Sequence, residues 1–287
     1  MRGRGPYKSR RELAGMREPG RITALALEAV EAAIAPGVTT LELDAIAERV
    51  IREHGAVPNF QLEPGYEHTL CVNVNDVVVH GIPDDAPLQP GDLITVDCGA
   101  TIGGFHGDAA ISVVVPGGDP ETAAARQRLS DVTRGALWAG VAALAGAKQL
   151  GEVGIAIEEH IEAHSDYGIS EDYIGHGIGA SMHEDPPVFN YRTRVMGPAV
   201  KPGLCVAIEP IIHAGSIETT VDDDGWSVRS ADGADACQWE HSVAVHSGGI
   251  WVLTALDGGA AGLAPFGIEP TPIPDRRGCP PALGSRW

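Results

Sequence analysis

No run of about 18 apolar residues occurs anywhere in the 287-residue chain, so a membrane-spanning helix is excluded. The opening Met1-Arg-Gly-Arg-Gly-Pro6 carries charge but no apolar stretch behind it, and does not read as a signal peptide. A cytoplasmic protein is the expectation. Cysteine is scarce. Cys71, Cys98, Cys205, Cys237 and Cys279 are odd in number and form no C-x-x-C, which argues against a disulfide framework or a thiolate zinc site. Three of them, Cys98, Cys205 and Cys237, read as small buried hydrophobes. Positive charge is short too: 20 Lys and Arg against 39 Asp and Glu leave −19. Such a surface repels nucleic acid in general, and no specific DNA partner is expected. There is no H-E-x-x-H, no G-x-x-x-x-G-K-[ST], and no nucleophile-elbow context around Ser181.

What remains is ample for a core, with 44% hydrophobic residues in one large domain or two small ones. The basic residues concentrate at the start: Arg2, Arg4, Lys8, Arg10, Arg11, Arg17 and Arg21. Residues 1–11 are read as a basic leader, a solvated arm on an acidic body. Apolar spacing predicts helices over 12–35 and 41–54, the second capped by Thr40. Residues 70–79 look like a hairpin turning near Asn75. Residues 92–98 and 108–115 are two more strands joined by Gly103-Gly104. The plan then repeats, with helices over 121–147 and 152–164 and strands over 173–178, 204–212 and 237–245. Pro90-Gly-Asp-Leu-Ile-Thr-Val-Asp97 aligns without a gap to Pro202-Gly-Leu-Cys-Val-Ala-Ile-Glu209. Both halves thus place an acid at the end of a Pro-Gly-led strand. The expectation is an α+β fold of two duplicated helix–helix–sheet halves around a shared, pseudo-twofold site. It occupies 12–256, and 257–287 is a Gly/Pro-rich tail, loosely ordered beyond about 270.

Five side chains able to bind a hard cation lie in order in short apolar stretches: Asp97, Asp108, His176, Glu209 and Glu240. A carboxylate there is costly unless a cation or a base neutralises it. Each aspartate alone reads as well as a turn or cap. Glutamate is disfavoured inside apolar strands, so Glu209 and Glu240 weaken that reading. His176 lies in Tyr173-Ile-Gly-His-Gly-Ile-Gly179, where alternating glycines let another backbone come close. Together the five predict one buried site with two divalent metals. An oxygen-rich set with one imidazole suits Mn, Fe or Co, with Zn also possible. Two such ions about 3.5–4 Å apart activate water and polarise a carbonyl, so the reaction class is hydrolysis of an amide or phosphoester. His160 and His164 are a weaker pair on a helix face. Asp222-Asp-Asp-Gly225 lacks the bidentate glutamate of a calcium loop and reads as a hairpin turn.

Several segments bear a family resemblance. Val79-His-Gly-Ile-Pro83, Ile94-Thr-Val-Asp-Cys-Gly99, Phe105-His-Gly-Asp108, Ile174-Gly-His-Gly-Ile-Gly179, Met182-His-Glu-Asp-Pro186, Ala207-Ile-Glu-Pro210 and Gln238-Trp-Glu-His-Ser242 resemble those of type I methionine aminopeptidases. The likeness runs over roughly residues 12–255 and implies the pita-bread fold. It implies Asp97 and Asp108 on one metal, and Asp108, His176, Glu209 and Glu240 on the other, with Asp108 and Glu240 bridging. Glu209 would be the general base, His183 would hydrogen-bond the substrate carbonyl, and His80 would contact the amide nitrogen. Tyr66, Cys71, Met182 and Trp226 would line a methionine pocket. The substrates implied are N-termini of nascent chains with methionine before a small residue, and the enzyme a monomer. The leader suggests a contact with the ribosome. In Glu63-Pro-Gly-Tyr-Glu67 this chain departs from the family: Glu63 replaces an aromatic and Glu67 a proline. The rival readings are an aminopeptidase P- or prolidase-like X-Pro peptidase of the same fold, and a non-catalytic pita-bread binding protein.

Overall fold

The computed structural model describes residues 6–274. Helix α1 (Arg10–Glu31) starts at a capping box: Glu12 N–H donates to Ser9 Oγ, and Ser9 N–H to the Glu12 carboxylate. Helix α2 (Thr40–Glu53) begins the same way with Thr39 and Glu42. The cap is therefore Thr39, not Thr40. The Thr40 hydroxyl donates to the Asp84 carbonyl instead. A short β1 (Val57–Pro58) leads to β2 (Leu70–Val74) and β3 (Val77–Val79). These last two do not close the expected hairpin. Strand β2 pairs with β4 (Leu93–Ile102), and β3 joins a different ladder. Asn75 at the bend is tied to β4: its Oδ1 accepts from Leu93 N–H and its Nδ2 donates to Asp92.

Strands β4 and β5 (Phe105–Val114) form an antiparallel hairpin in register from Leu93↔Val114 to Ile102↔Phe105. Its Gly103-Gly104 turn has φ of 63° and 79°, which glycine adopts without strain. Helix α1 crosses this hairpin where Gly20 meets Gly107; a Cβ on Gly107 would lie 2.6 Å from the Gly20 nitrogen.

The second half repeats the arrangement with α3 (Pro120–Gly146), capped by Asp119, and α4 (Gly151–His164). Then follow β6 (Gly168–Ile169), β7 (Gly175–Gly177), β8 (Glu184–Val188), β9 (Cys205–Ile208) and β10 (Ile211–His213). A hairpin of β11 (Thr219–Val221) and β12 (Val228–Ser230) encloses Asp222-Asp-Asp-Gly225, as expected for a turn. Strands β13 (Ala236–Gln238), β14 (His241–His246) and β15 (Gly249–Val252) complete the sheets.

The strands expected over 204–212 and 237–245 are each broken once, at Glu209-Pro210 and at Trp239-Glu240. Before the break Ile208 faces His241; after it Ile211 faces Gln238. At the break Glu240 leaves its partner and exchanges both backbone hydrogen bonds with Ala110 of β5. That seam joins the two halves. Ser242 Oγ adds a second tie, donating to the Asp108 carbonyl and accepting from its N–H.

Each half has its own apolar core. One lies under α1 and α2 around Ile22, Leu43 and Ile94; the other lies under α3 and α4 around Leu137, Ile157 and Val206. Trp239 packs against both. The doubling expected from the sequence is thus visible in the packing.

The chain ends differ from expectation. Lys8 is not on a solvated arm: its ammonium pairs with Glu184 and its N–H donates to the Gly203 carbonyl at 2.6 Å. After 257 the chain first packs on the body. Helix α5 (Ala260–Leu263) buries Leu263, and Ile273 is also buried. The remainder of both regions, 1–5 and 275–287, lies outside the described residues. Among the described residues no helix is long and apolar enough to cross a membrane.

Candidate metal centre and its cleft

Asp97 faces Ala110 and Asp108 faces Gly99 across the β4–β5 hairpin. Alternation along a strand puts both carboxylates on one face, one diagonal step apart. Neither stands at a strand end as expected. Strand β4 runs on to Ile102, and β5 begins three residues before Asp108.

His176 comes from β7, flanked by glycines for a reason. A Cβ on Gly177 would lie 2.2 Å from the Asp185 carbonyl, and one on Gly175 2.4 Å from that of Ala207. His176 Nδ1 lies 3.0 Å from the Gly177 carbonyl, which fixes the proton there and leaves Nε2 as the free lone pair. That Nε2 is 3.5 Å from Glu209 Oε1 and 3.9 Å from Asp108 Oδ2. The two strand breaks supply Glu209 and Glu240. Ligand atoms of Asp108, His176 and Glu240 lie within 4.8 Å of one another.

Asp108 is 4% exposed and Glu240 2%. Buried oxygens of Asp97, Asp108 and Glu240 have no hydrogen-bond partner. Each such orphan costs kilocalories unless something else neutralises it. Among the described residues neither Lys nor Arg lines the cleft. Burial pushes the Asp97 carboxyl up to about 7. Asp108 rises well above the carboxylate range through burial and the charges of Asp97 and Glu209. Burial and Asp97 raise Glu209. Burial, then Asp108, Glu209 and Asp97, raise Glu240. Burial and the neighbouring His183 push His176 down to about 4, so it offers a neutral imidazole. Crowded acids, orphaned oxygens and one free imidazole lone pair are a donor set that fits hard divalent cations.

The two further histidines are brought to the same cleft. The His183 ring meets that of His176 edge-on, centroids 4.4 Å apart. His80 sits at the mouth with its ring against Tyr173, and its backbone is left-handed at φ 59°. A non-glycine residue held there is strained, and such strain is characteristic of functional positions. Loss of hydration lowers both histidines, and His183 lowers His80 further.

Tyr66, Cys71, Met182 and Trp226 form one apolar cluster, joined by Phe60 and Ile82. Tyr66 and Trp226 stack edge-on at 5.1 Å, and the Tyr66 hydroxyl donates to the Leu70 carbonyl at 2.7 Å. Cys71 pairs directly with Asp97 across β2 and β4, so the apolar cluster abuts the acid cluster. The cluster and the acids line a single cleft of about 560 Å³. Of the two unusual acids, Glu63 lies exposed on the cleft wall; Glu67 does not line it.

The sequence reading missed Phe60, Ile82 and Gln238. Gln238 Nε2 donates to Glu209 at 3.3 Å and to Glu240 at 3.4 Å, bridging the two carboxylates. Its place in Gln238-Trp-Glu240 was the one available signal: alternation puts it on the face of Glu240. His160 and His164 stack at 4.2 Å away from this cleft, and His164 Nδ1 bonds the His160 carbonyl.

Comparison with known proteins agrees with the geometry. Methionine aminopeptidase 1 of Mycobacterium tuberculosis is 45% identical over 262 residues, covering 88% of this chain and 97% of that protein. Methionine aminopeptidase 1 of Bacillus subtilis is 38% identical over 249 residues, covering 87% and 98%. The crystal structure of methionine aminopeptidase from Rickettsia prowazekii superposes with a TM-score of 0.81 at 31% identity, over 87% of this chain and 99% of that one. Prolidase from Pyrococcus furiosus, at 21% identity and a TM-score of 0.67, shares the fold alone. These are pita-bread proteins, and the α+β architecture described above is theirs. Residues 14–247 match one family throughout, and the chain belongs to metallopeptidase family M24.

Proposed function

We propose that this protein removes N-terminal methionine from peptides and newly made chains, preferring a small second residue. One observation carries the reading. An apolar pocket of thioether-friendly groups, Tyr66, Cys71, Met182 and Trp226, adjoins the acid cluster through the Cys71↔Asp97 pair. Asp97 and Asp108 would hold one divalent ion, and Asp108, His176, Glu209 and Glu240 a second, with Asp108 and Glu240 shared. When bound, such ions neutralise the carboxylates and supply Lewis acidity to water and to the scissile carbonyl.

The chain's own residues do the rest. The pocket takes the methionine side chain and excludes water around it. Glu209, held by Gln238, accepts the proton of the attacking water and returns it to the departing amine. His183 donates a hydrogen bond to the carbonyl oxygen as negative charge grows there. His80, on its strained backbone, contacts the scissile amide nitrogen.

The test is a peptide panel with added Mn or Co. Met-Ala-Ser should be cleaved and X-Pro peptides should not. Glu209→Gln should lower kcat by about 10²–10⁴-fold while leaving thermal unfolding unchanged. Preference for X-Pro would support the prolidase-like alternative. No hydrolysis of any peptide would support a non-catalytic binding protein.

A further inference from the structure

We infer that Lys8 is a positioning residue for the loop that carries Met182 and His183. Its ammonium pairs with Glu184 Oε2, and only 11% of the Lys8 side chain is exposed. The other Glu184 oxygen accepts from the Ser181 N–H at 3.0 Å. One carboxylate thus closes the turn over 181–184 from within and anchors it to Lys8 from outside. The backbone of the loop adds further ties: Ala180 bonds Glu184 and His106, and Met182 bonds His176. Gly179 N–H donates to the Ser181 carbonyl, and His106 N–H to that of Gly179. Gly179 packs so closely on Lys8 that a Cβ there would lie 2.3 Å from Lys8 Cε.

The backbone around Lys8 is fixed in turn. Its N–H donates to the Gly203 carbonyl, and Tyr7 bridges to Leu204. The Tyr7 hydroxyl donates to the Ala199 carbonyl, and Lys201 lies over the Tyr7 ring. Residues 199–204 lead straight into β9, which ends beside Glu209. Lys8 therefore ties the segment leading to the proposed base to the loop holding His183. Glu184, its partner, belongs neither to the acid cluster nor to the apolar cluster of Tyr66 and Cys71.

The inference rests on the function proposed above and is tested so that the two can fail separately. Lys8→Met keeps the apolar stem and removes the charge. With the metal-loaded full chain and Met-Ala-Ser, kcat should fall roughly ten- to a hundredfold, because small misplacements of reacting groups cost that much. KM should change far less, and the metal dissociation constant should stay that of wild type. The Ser181 amide should lose hydrogen-exchange protection while β9 amides keep theirs. Glu184→Gln, which preserves an acceptor for Ser181, should lose a similar share of kcat, and the double variant should be no worse than either single one. Wild-type kcat in a folded Lys8→Met, additive losses, or unchanged Ser181 exchange would overturn the inference. Should Lys8→Met not fold, Glu184→Gln decides: kcat close to wild type refutes the brace, and a large loss with normal unfolding supports it. If wild type cleaves no methionyl peptide, the functional reading falls, and exchange at Ser181 still decides the brace.

Discussion

Metal affinity should climb steeply between about pH 5 and 7, and the acid cluster sets the slope. Without a cation, burial pushes Asp97 up to about 7, and burial with the neighbouring acids raises Asp108, Glu209 and Glu240 well above their ordinary values. Between its unfolded value of 3.8 and about 7, the folded metal-free protein holds a proton on Asp97 that the unfolded chain has released. That contribution to stability is complete below 3.8 and is lost as pH rises through 7. Three pKa units correspond to about 4 kcal/mol. Asp97 shares its proton with neighbouring acids, so about 4 kcal/mol is an upper bound.

A cation displaces these protons, and each one displaced raises apparent affinity about tenfold per pH unit. His176, depressed to about 4, is already neutral over this range and does not compete. Titration calorimetry of Mn into chelator-treated protein, in buffers of different ionisation enthalpy, counts the protons released. At least one should leave per ion near pH 6, and Asp97→Asn should reduce the total by about one. Metal-free protein should also lose stability, relative to Asp97→Asn, as pH rises through 7. Affinity independent of pH with no proton release would refute the picture of protonated acids crowded in a dry site.

Trp226→Ala removes the aromatic edge on Tyr66 and should lower kcat/KM for methionyl peptides about tenfold, with smaller losses for alanyl ones; equal losses would remove Trp226 from the pocket. Glu63 stands exposed on the cleft wall, which no Lys or Arg among the described residues lines. Glu63→Gln should improve kcat/KM about two- to fivefold for peptides carrying Glu beyond the second residue, at low salt, where exposed charges act by up to about 1 kcal/mol. Glu67→Gln, away from the cleft, should not. Gly107→Ala drives a methyl into the backbone of α1 at Gly20 and should cost about 1–3 kcal/mol, seen as a lower Tm. An unchanged Tm would mean that helix and hairpin can separate freely.

The acid cluster was legible because burial makes acids conspicuous. Asp97, Asp108, Glu209 and Glu240 stand in apolar stretches of sequence where a counter-charge is needed to justify them, and the structure brings all four to one cleft. The gapless match of Asp97 with Glu209 was legible for the same reason. Gln238 was not singled out, because its role depends on two carboxylates meeting across a strand break that no local pattern marks. Phe60 reads as one more core aromatic until β1 carries it beside Tyr66. Lys8 looked like any leader cation. Its partner lies 176 positions away, and only the fold reveals the pair. The hairpin expected over 70–79 failed at Asn75, whose amide finds β4 more attractive than a tight turn.

The seam between the halves also governs when this molecule can begin to work. Asp97 and Asp108 are synthesised early, on a hairpin that local contacts can form by itself. They cannot form the full ligand cluster until Glu240 exchanges backbone bonds with Ala110, more than a hundred residues later. Such distant pairings are late events in folding. A chain interrupted before Glu240 therefore lacks both that carboxylate and the backbone pairing that joins the halves.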